Sequence, residues 1–212
     1  MPFVLYLLAL VVFAMGTSEF MLAGLVPDIS TNFGISVATA GLLTSAFAVG
    51  MVIGAPAMAA LTRRLPVKAT LVGCVVVFAL SHAVGALTPD FTVLFIARVI
   101  AAVVNAGFLA VALVAATKLV APDAKGRAVA ILLAGTTVAT VAGVPAGALL
   151  GTALGWQSTF WAIALLCIPP PSALPRASLL NLTIRQRTRQ RRSRSRLRCG
   201  RSCRSLPPLA SS

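Results

Sequence analysis

Two residues could do chemistry in surroundings that normally exclude charge. Glu19 lies in the apolar run Phe3–Val26, and Arg98 lies in the apolar run Phe91–Val114. No other residue in the five long apolar runs of this sequence carries a formal charge. An ionised side chain is costly in hydrocarbon, so such residues mark ion and substrate paths. A carboxyl group takes up and releases protons. A guanidinium keeps its charge and favours a neighbouring carboxylate, while burial favours the neutral acid. These opposed demands suit a group that must load and unload a proton.

The spacing places the two groups at one level. Glu19 is seven residues before Val26, and Arg98 is seven residues after Phe91. At 1.5 Å per residue, each lies about 10 Å below the same boundary, on helices of opposite direction. We expect them to face each other or a shared cavity. A purely structural ion pair between the two helices is the alternative. The helical neighbours of Glu19 are Gly16 and Ala23, and those of Arg98 are Ala101, Ala102 and Asn105. His82 is the sole histidine. It is read as a neutral ring bonded to a neighbouring helix, with proton relay as the alternative.

The elements that hold these residues are membrane spans. The chain is 58% hydrophobic, with a mean hydropathy of +0.97. That exceeds the roughly 45–50% apolar content of soluble domains. A span needs about 20 mostly apolar residues. Five runs qualify: Phe3–Val26, Ala40–Leu61, Ala69–Thr88, Phe91–Val114 and Ala128–Leu150. A sixth begins near Ser158 and meets Pro169, Pro170 and Pro171, which would break a helix. The segment Met1–Phe20 has no basic start, so it reads as an uncleaved first span.

The connections alternate in charge. Asp28 follows the first run and Asp90 the third. Arg63, Arg64 and Lys68 follow the second, and Lys118, Lys125 and Arg127 follow the fourth. Basic connections face the cytoplasm, which places the N-terminus and the C-terminal tail there too. Small residues recur at helical spacing in Gly50-x-x-x-Gly54 and in Gly143-x-x-x-Gly147-x-x-x-Gly151. Such strips let helices approach closely. Pro145 lies inside the second strip and should bend that helix or free a carbonyl.

Taken together, these motifs resemble the major facilitator superfamily, in its drug:proton antiporter branch. MGTSEFMLAGLVPDIS (Met15–Ser30) resembles that branch's first helix, and GLLTSAFAVGMVIGAP (Gly41–Pro56) its second. ARVIAAVVNAGFLAVAL (Ala97–Leu113) is similar to the fourth-helix motif, with Arg98 and Gly107 nine residues apart. AGVPAG (Ala142–Gly147) is similar to the fifth-helix antiporter motif. The resemblance covers about residues 1–168 and extends to chloramphenicol-resistance exporters of actinobacteria. It implies an all-α membrane protein holding the N-terminal six-helix half of the fold, as five complete spans and a shortened sixth. It also implies a proton and substrate path through Glu19, Arg98, Asn105 and Asp28. Gly143, Pro145 and Gly147 would shape a helix that favours export. Arg63, Arg64 and Lys68 would form a cytoplasmic gating loop. That loop departs from the family pattern, with Arg63 in place of an acid and Pro66 in place of a glycine.

Residues 169–212 have another character. Eleven arginines and eight serines occur after Pro169, with no Lys, Asp or Glu. The segment is expected to be disordered, because it has too little apolar surface to form a core. We read it as an out-of-frame translation that cuts short the sixth helix. A polybasic segment on anionic lipid is the alternative. Nucleic acid is not the expected partner, because a membrane tether argues against it.

The expected function is proton-coupled efflux of a small antibiotic, chloramphenicol foremost, at the cell membrane. The rivals are export of a sugar or another drug, and a non-transporting structural fragment. No enzyme is expected, since the sequence offers no nucleophile–base pair or phosphate loop. Neither a cofactor nor a metal is expected: Cys199 and Cys203 have no histidine near them, and the four cysteines give no zinc set. The proton gradient would supply the energy. The oligomeric state is left open.

Overall fold

A computed structural model describes residues 3–61 and 65–167 of the 212-residue chain. These residues form α1 (Phe3–Phe33), α2 (Val37–Leu61), α3 (Val67–Leu87) and α4 (Phe91–Leu119). A 3-10 turn (Pro122–Ala124) leads into α5 (Lys125–Val138), a π-helical segment (Ala139–Gly143), α6 (Val144–Leu154) and α7 (Trp156–Leu166). Arg63, Arg64 and the segment 169–212 lie outside the described residues.

The sequence dictates helices because lipid offers no hydrogen bonds to the backbone. A spanning segment must satisfy its own N–H and C=O groups, and a helix does so within itself. Five helical stretches are long and apolar enough to cross a membrane, counting α5 through α6 as one. The helix ends carry the polar signals. At the end of α1, Gly34 takes a φ of 63°, and the Ile35 amide bonds the Ser30 carbonyl at 3.0 Å. This left-handed closure favours a residue without a Cβ. Ser36 then caps α2 by accepting from the Thr39 amide at 3.1 Å, and Asp90 caps α4 by accepting from the Thr92 amide at 2.8 Å. Gly155, at φ 84°, turns the chain between α6 and α7.

α1 is the hub of the bundle. It packs against α2, α5, the π segment, α6 and α7, while α4 packs between α2 and α3. α1 and α4 are the most buried of the long helices. α2 and α5–α6 keep open apolar faces, with Val52 75% and Val141 72% exposed. Such faces suit lipid or further protein rather than water.

Small residues set the closest contacts. A Cβ added to Gly54 would lie 2.6 Å from the Val103 Cα, and one added to Gly50 would lie 2.8 Å from the Ala102 Cβ. α2 and α4 therefore approach to backbone distance. A second row runs along the fifth span at intervals of four: Gly135, Ala139, Gly143, Gly147 and Gly151. Its members meet Ala9, Gly16, Thr17, Met21 and Leu25 of α1, in the same order. A row of period four drifts about 40° per step around a helix of 3.6 residues per turn. The wider π turn winds back part of that drift, so the row keeps facing α1.

The element boundaries differ most from the sequence reading in α1, α4 and the fifth span. α1 continues seven residues past Val26, through Pro27. Pro27 costs the helix one amide bond, the one to the Ala23 carbonyl, and the ladder resumes beyond it. α4 continues to Leu119, beyond Val114. The fifth span is not one helix but α5, the π segment and α6. The Val144 amide bonds the carbonyl of Ala139, five residues back, just before Pro145, which has no amide hydrogen to continue the ladder.

Candidate functional site

Arg98 is 1% exposed, yet among the described residues no carboxylate bonds it. Its guanidinium reaches α1, where Nη1 donates to Ser18 Oγ at 2.9 Å and Nη2 donates to the Ser18 carbonyl at 3.0 Å. The Nε hydrogen has no partner among the described residues. The Phe47 ring of α2 lies 4.6 Å from the guanidinium carbon and the Phe160 ring of α7 lies 5.8 Å away. Aromatic faces attract a cation and replace part of its lost hydration. The charge is thus held by a carbonyl, a hydroxyl and two rings.

His82 completes this cluster from α3. Its Nε2 is 2.6 Å from Ser18 Oγ, and its Nδ1 is 2.9 Å from the Phe78 carbonyl. The ring also stacks near Phe78 and Phe160, at 4.3 and 5.5 Å between centroids.

Glu19, next to Ser18, opens on a cavity that Arg98 does not line. It is half-buried and lines a cavity of about 40 Å³ with Val12, Gly16, Met51, Asn105, Phe108, Leu109 and Thr136. The cavity lies among α1, α2, α4 and α5. Asn105 forms its polar wall and donates from Nδ2 to the Met51 sulfur at 3.4 Å. There is room for water beside the carboxyl, but not for a drug, whose pockets run to about 300–1,000 Å³.

Among the described residues Glu19 and Arg98 make no direct ion pair, although each charge lies near enough to act on the other. Arg98 meets Ser18, the residue next to Glu19, and lines no part of the Glu19 cavity. Successive residues on a helix point about 100° apart. Side chains also lean toward the N-terminus of their own helix. Since α1 and α4 run in opposite directions, Glu19 leans toward Asn105 and Arg98 leans away from it. Equal level on antiparallel helices thus separates the two charged ends.

The other expected site residues are spread out. Asp28 is exposed near the end of α1, nine residues past Glu19 and outside the cavity. Gly143 ends the π segment against Thr17. Gly147 packs on Met21, and its carbonyl accepts from Thr159 Oγ1 at 3.2 Å. Pro145 is exposed between them. Lys68 sits in the first turn of α3, while Arg63 and Arg64 are not described. Sequence reasoning missed Ser18, Phe47 and Phe160. Ser18 carried one usable signal, a hydroxyl beside the buried acid. The two aromatics carried none, because phenylalanine is ordinary in a span.

Comparison with known proteins gives the family. The sequence profile of the Major Facilitator Superfamily matches residues 8–175. The "Chloramphenicol resistance protein" of Streptomyces lividans is 63% identical over 169 residues, which is 80% of this chain and 43% of that protein. The "Inner membrane transport protein YdhP" of Escherichia coli (strain K12) is 34% identical over 157 residues, 74% of this chain and 40% of that protein. A "Probable sugar efflux transporter" of Pasteurella multocida is 33% identical over 161 residues, 76% of this chain and 40% of that protein. The chain spans less than half the length of these relatives. Its bundle of five long apolar stretches and a short further helix is a six-helix half of their fold, and the chain belongs to the Major Facilitator Superfamily.

Proposed function

We propose that this chain carries the proton-handling half of an exporter that moves chloramphenicol out of the cell in exchange for protons. The observation that carries the reading is Glu19: a half-buried carboxyl group, within a membrane span, opening on a cavity with an amide wall. The substrate is taken from the 63% identity to a protein named for chloramphenicol resistance. The "Probable sugar efflux transporter" is more distant, at 33%, so export of a sugar ranks second.

In the proposed cycle, drug binds near Glu19 while the carboxyl is ionised and hydrated. A proton arriving from outside neutralises Glu19, dries the cavity and displaces the drug outward; the carboxyl then releases that proton to the cytoplasm and is ionised for the next drug molecule. Chloramphenicol is uncharged, so it competes with the proton through hydration and helix position rather than through charge. Arg98 stays charged throughout, held on α1 at Ser18, one residue from the acid. The termini lie in the cytoplasm, because Lys68, Lys118, Lys125 and Arg127 end or begin helices on one side.

The test is a chimera. Residues 1–168 replace the matching segment of the Streptomyces lividans protein, and energised chloramphenicol efflux is measured. The chimera should export drug, and collapse of the proton gradient should stop it. Glu19→Gln should abolish the coupled efflux. Unchanged energised efflux with Gln at position 19 removes this residue from the mechanism.

A further inference from the structure

The hydrogen bonds around Ser18 have only one consistent direction. The Phe78 carbonyl can only accept, so His82 Nδ1 carries a hydrogen and donates to it. Arg98 Nη1 can only donate, so it gives a hydrogen to Ser18 Oγ. Ser18 must then send its own hydrogen elsewhere, and His82 Nε2, at 2.6 Å, is the acceptor in reach. A hydrogen on Nε2 would oppose the Arg98 Nη1 group, which lies 3.5 Å away. The chain runs Arg98 to Ser18 to His82 to Phe78, and it fixes the imidazole as a neutral Nδ1–H tautomer.

We propose that His82 and Ser18 are positioning residues for Arg98: by accepting from Ser18, His82 turns the hydroxyl oxygen toward Arg98 and holds the guanidinium off the Glu19 cavity. This goes beyond the reading of Glu19 as the proton carrier, and it rests on that reading only for its consequence in transport. Three elements pack on His82. α4 offers Arg98, the one charged group among the described residues that faces the ring; α1 offers Ser18; and α7 offers Phe160. The same Phe160 ring borders both His82 and Arg98, so the two side chains share one aromatic wall. Loss of the His82 acceptor frees the Ser18 hydroxyl to rotate. Arg98 then keeps one directed bond, to the Ser18 carbonyl, and four free hydrogens.

His82 is the only histidine, so its ring nitrogens can be observed without ambiguity in the full 212-residue chain labelled with 15N-histidine in lipid nanodiscs. The expected spectrum shows Nδ1 protonated and Nε2 unprotonated, with Nε2 shifted as an acceptor. Ser18→Ala should move the Nε2 signal toward the position of a free ring nitrogen. An Nε2–H tautomer, an imidazolium, or an Nε2 signal unmoved by Ser18→Ala overturns the inference. In the chimera, His82→Gln retains an acceptor near the Nε2 position and should preserve the pH profile of efflux. His82→Leu removes the acceptor and should change that profile. Equal profiles for the two variants overturn the positioning role. The nitrogen spectrum needs no transport, so it judges this inference even if the chimera shows no efflux.

Discussion

At the scale of single residues, the charge of Arg98 matters less than what surrounds it. The guanidinium uses two of its five N–H groups on Ser18, leaves Nε unpaired and lies between two phenylalanine rings. A buried cation so thinly bonded is sensitive to small changes in its neighbours. Arg98→Ala removes a fixed charge one residue from the proposed proton carrier, so the pH optimum of efflux by the chimera should shift. A pH profile that superimposes on the parent's would reduce Arg98 to a packing role. The sequence exposed both charges, because each breaks an apolar run. It did not expose their separation. Span boundaries locate a residue along a helix, but its direction around the helix depends on which neighbours pack there. Ser18 and Glu19 illustrate this: adjacent in sequence, they open on different sets of helices.

At the scale of elements, the spans were legible because an apolar run of about 20 residues has few other uses. Their ends were less so. Hydropathy fades gradually, whereas Gly34 and Ser36 end α1 and start α2 through backbone geometry. The π segment was only partly foreseeable. Pro145 announced a lost amide, but the widened turn lies before it, at Ala139–Gly143, where the chain packs on α1. Glycine positions separate by what surrounds them. At Gly54 a methyl group would strike the backbone of Val103, at 2.6 Å from Cα and 3.1 Å from the carbonyl oxygen, and a backbone cannot step aside. Gly73 on α3 meets nothing within 4 Å. Gly54→Ala should therefore destabilise the bundle by about 1–3 kcal/mol through overpacking. Gly73→Ala should be neutral or stabilise it by up to about 1 kcal/mol through helix propensity. Unfolding midpoints of the two variants in one detergent compare them directly. Equal midpoints would show that α2 and α4 have room between them.

At the scale of the whole molecule, the bundle is asymmetric in two respects. Its outer surface is apolar nearly all round, with Leu80, Leu87, Leu149 and Leu154 all exposed. Its two ends differ in charge. Asp28 and Asp90 lie at the end where α1 finishes and α4 begins; Lys68, Lys118, Lys125 and Arg127 lie at the other. By the positive-inside rule that asymmetry predicts an orientation, with the basic end in the cytoplasm. Labelling can test it. Cys74 and Cys167 are buried, so replacing Cys199 and Cys203 with serine leaves no other native thiol to react. Asn32 and Asp123 are both exposed, at opposite ends of the bundle. Asn32→Cys should react with a membrane-impermeant maleimide on intact cells. Asp123→Cys should react only after the membrane is opened. The reverse pattern would invert the orientation and turn the proposed export cycle into uptake.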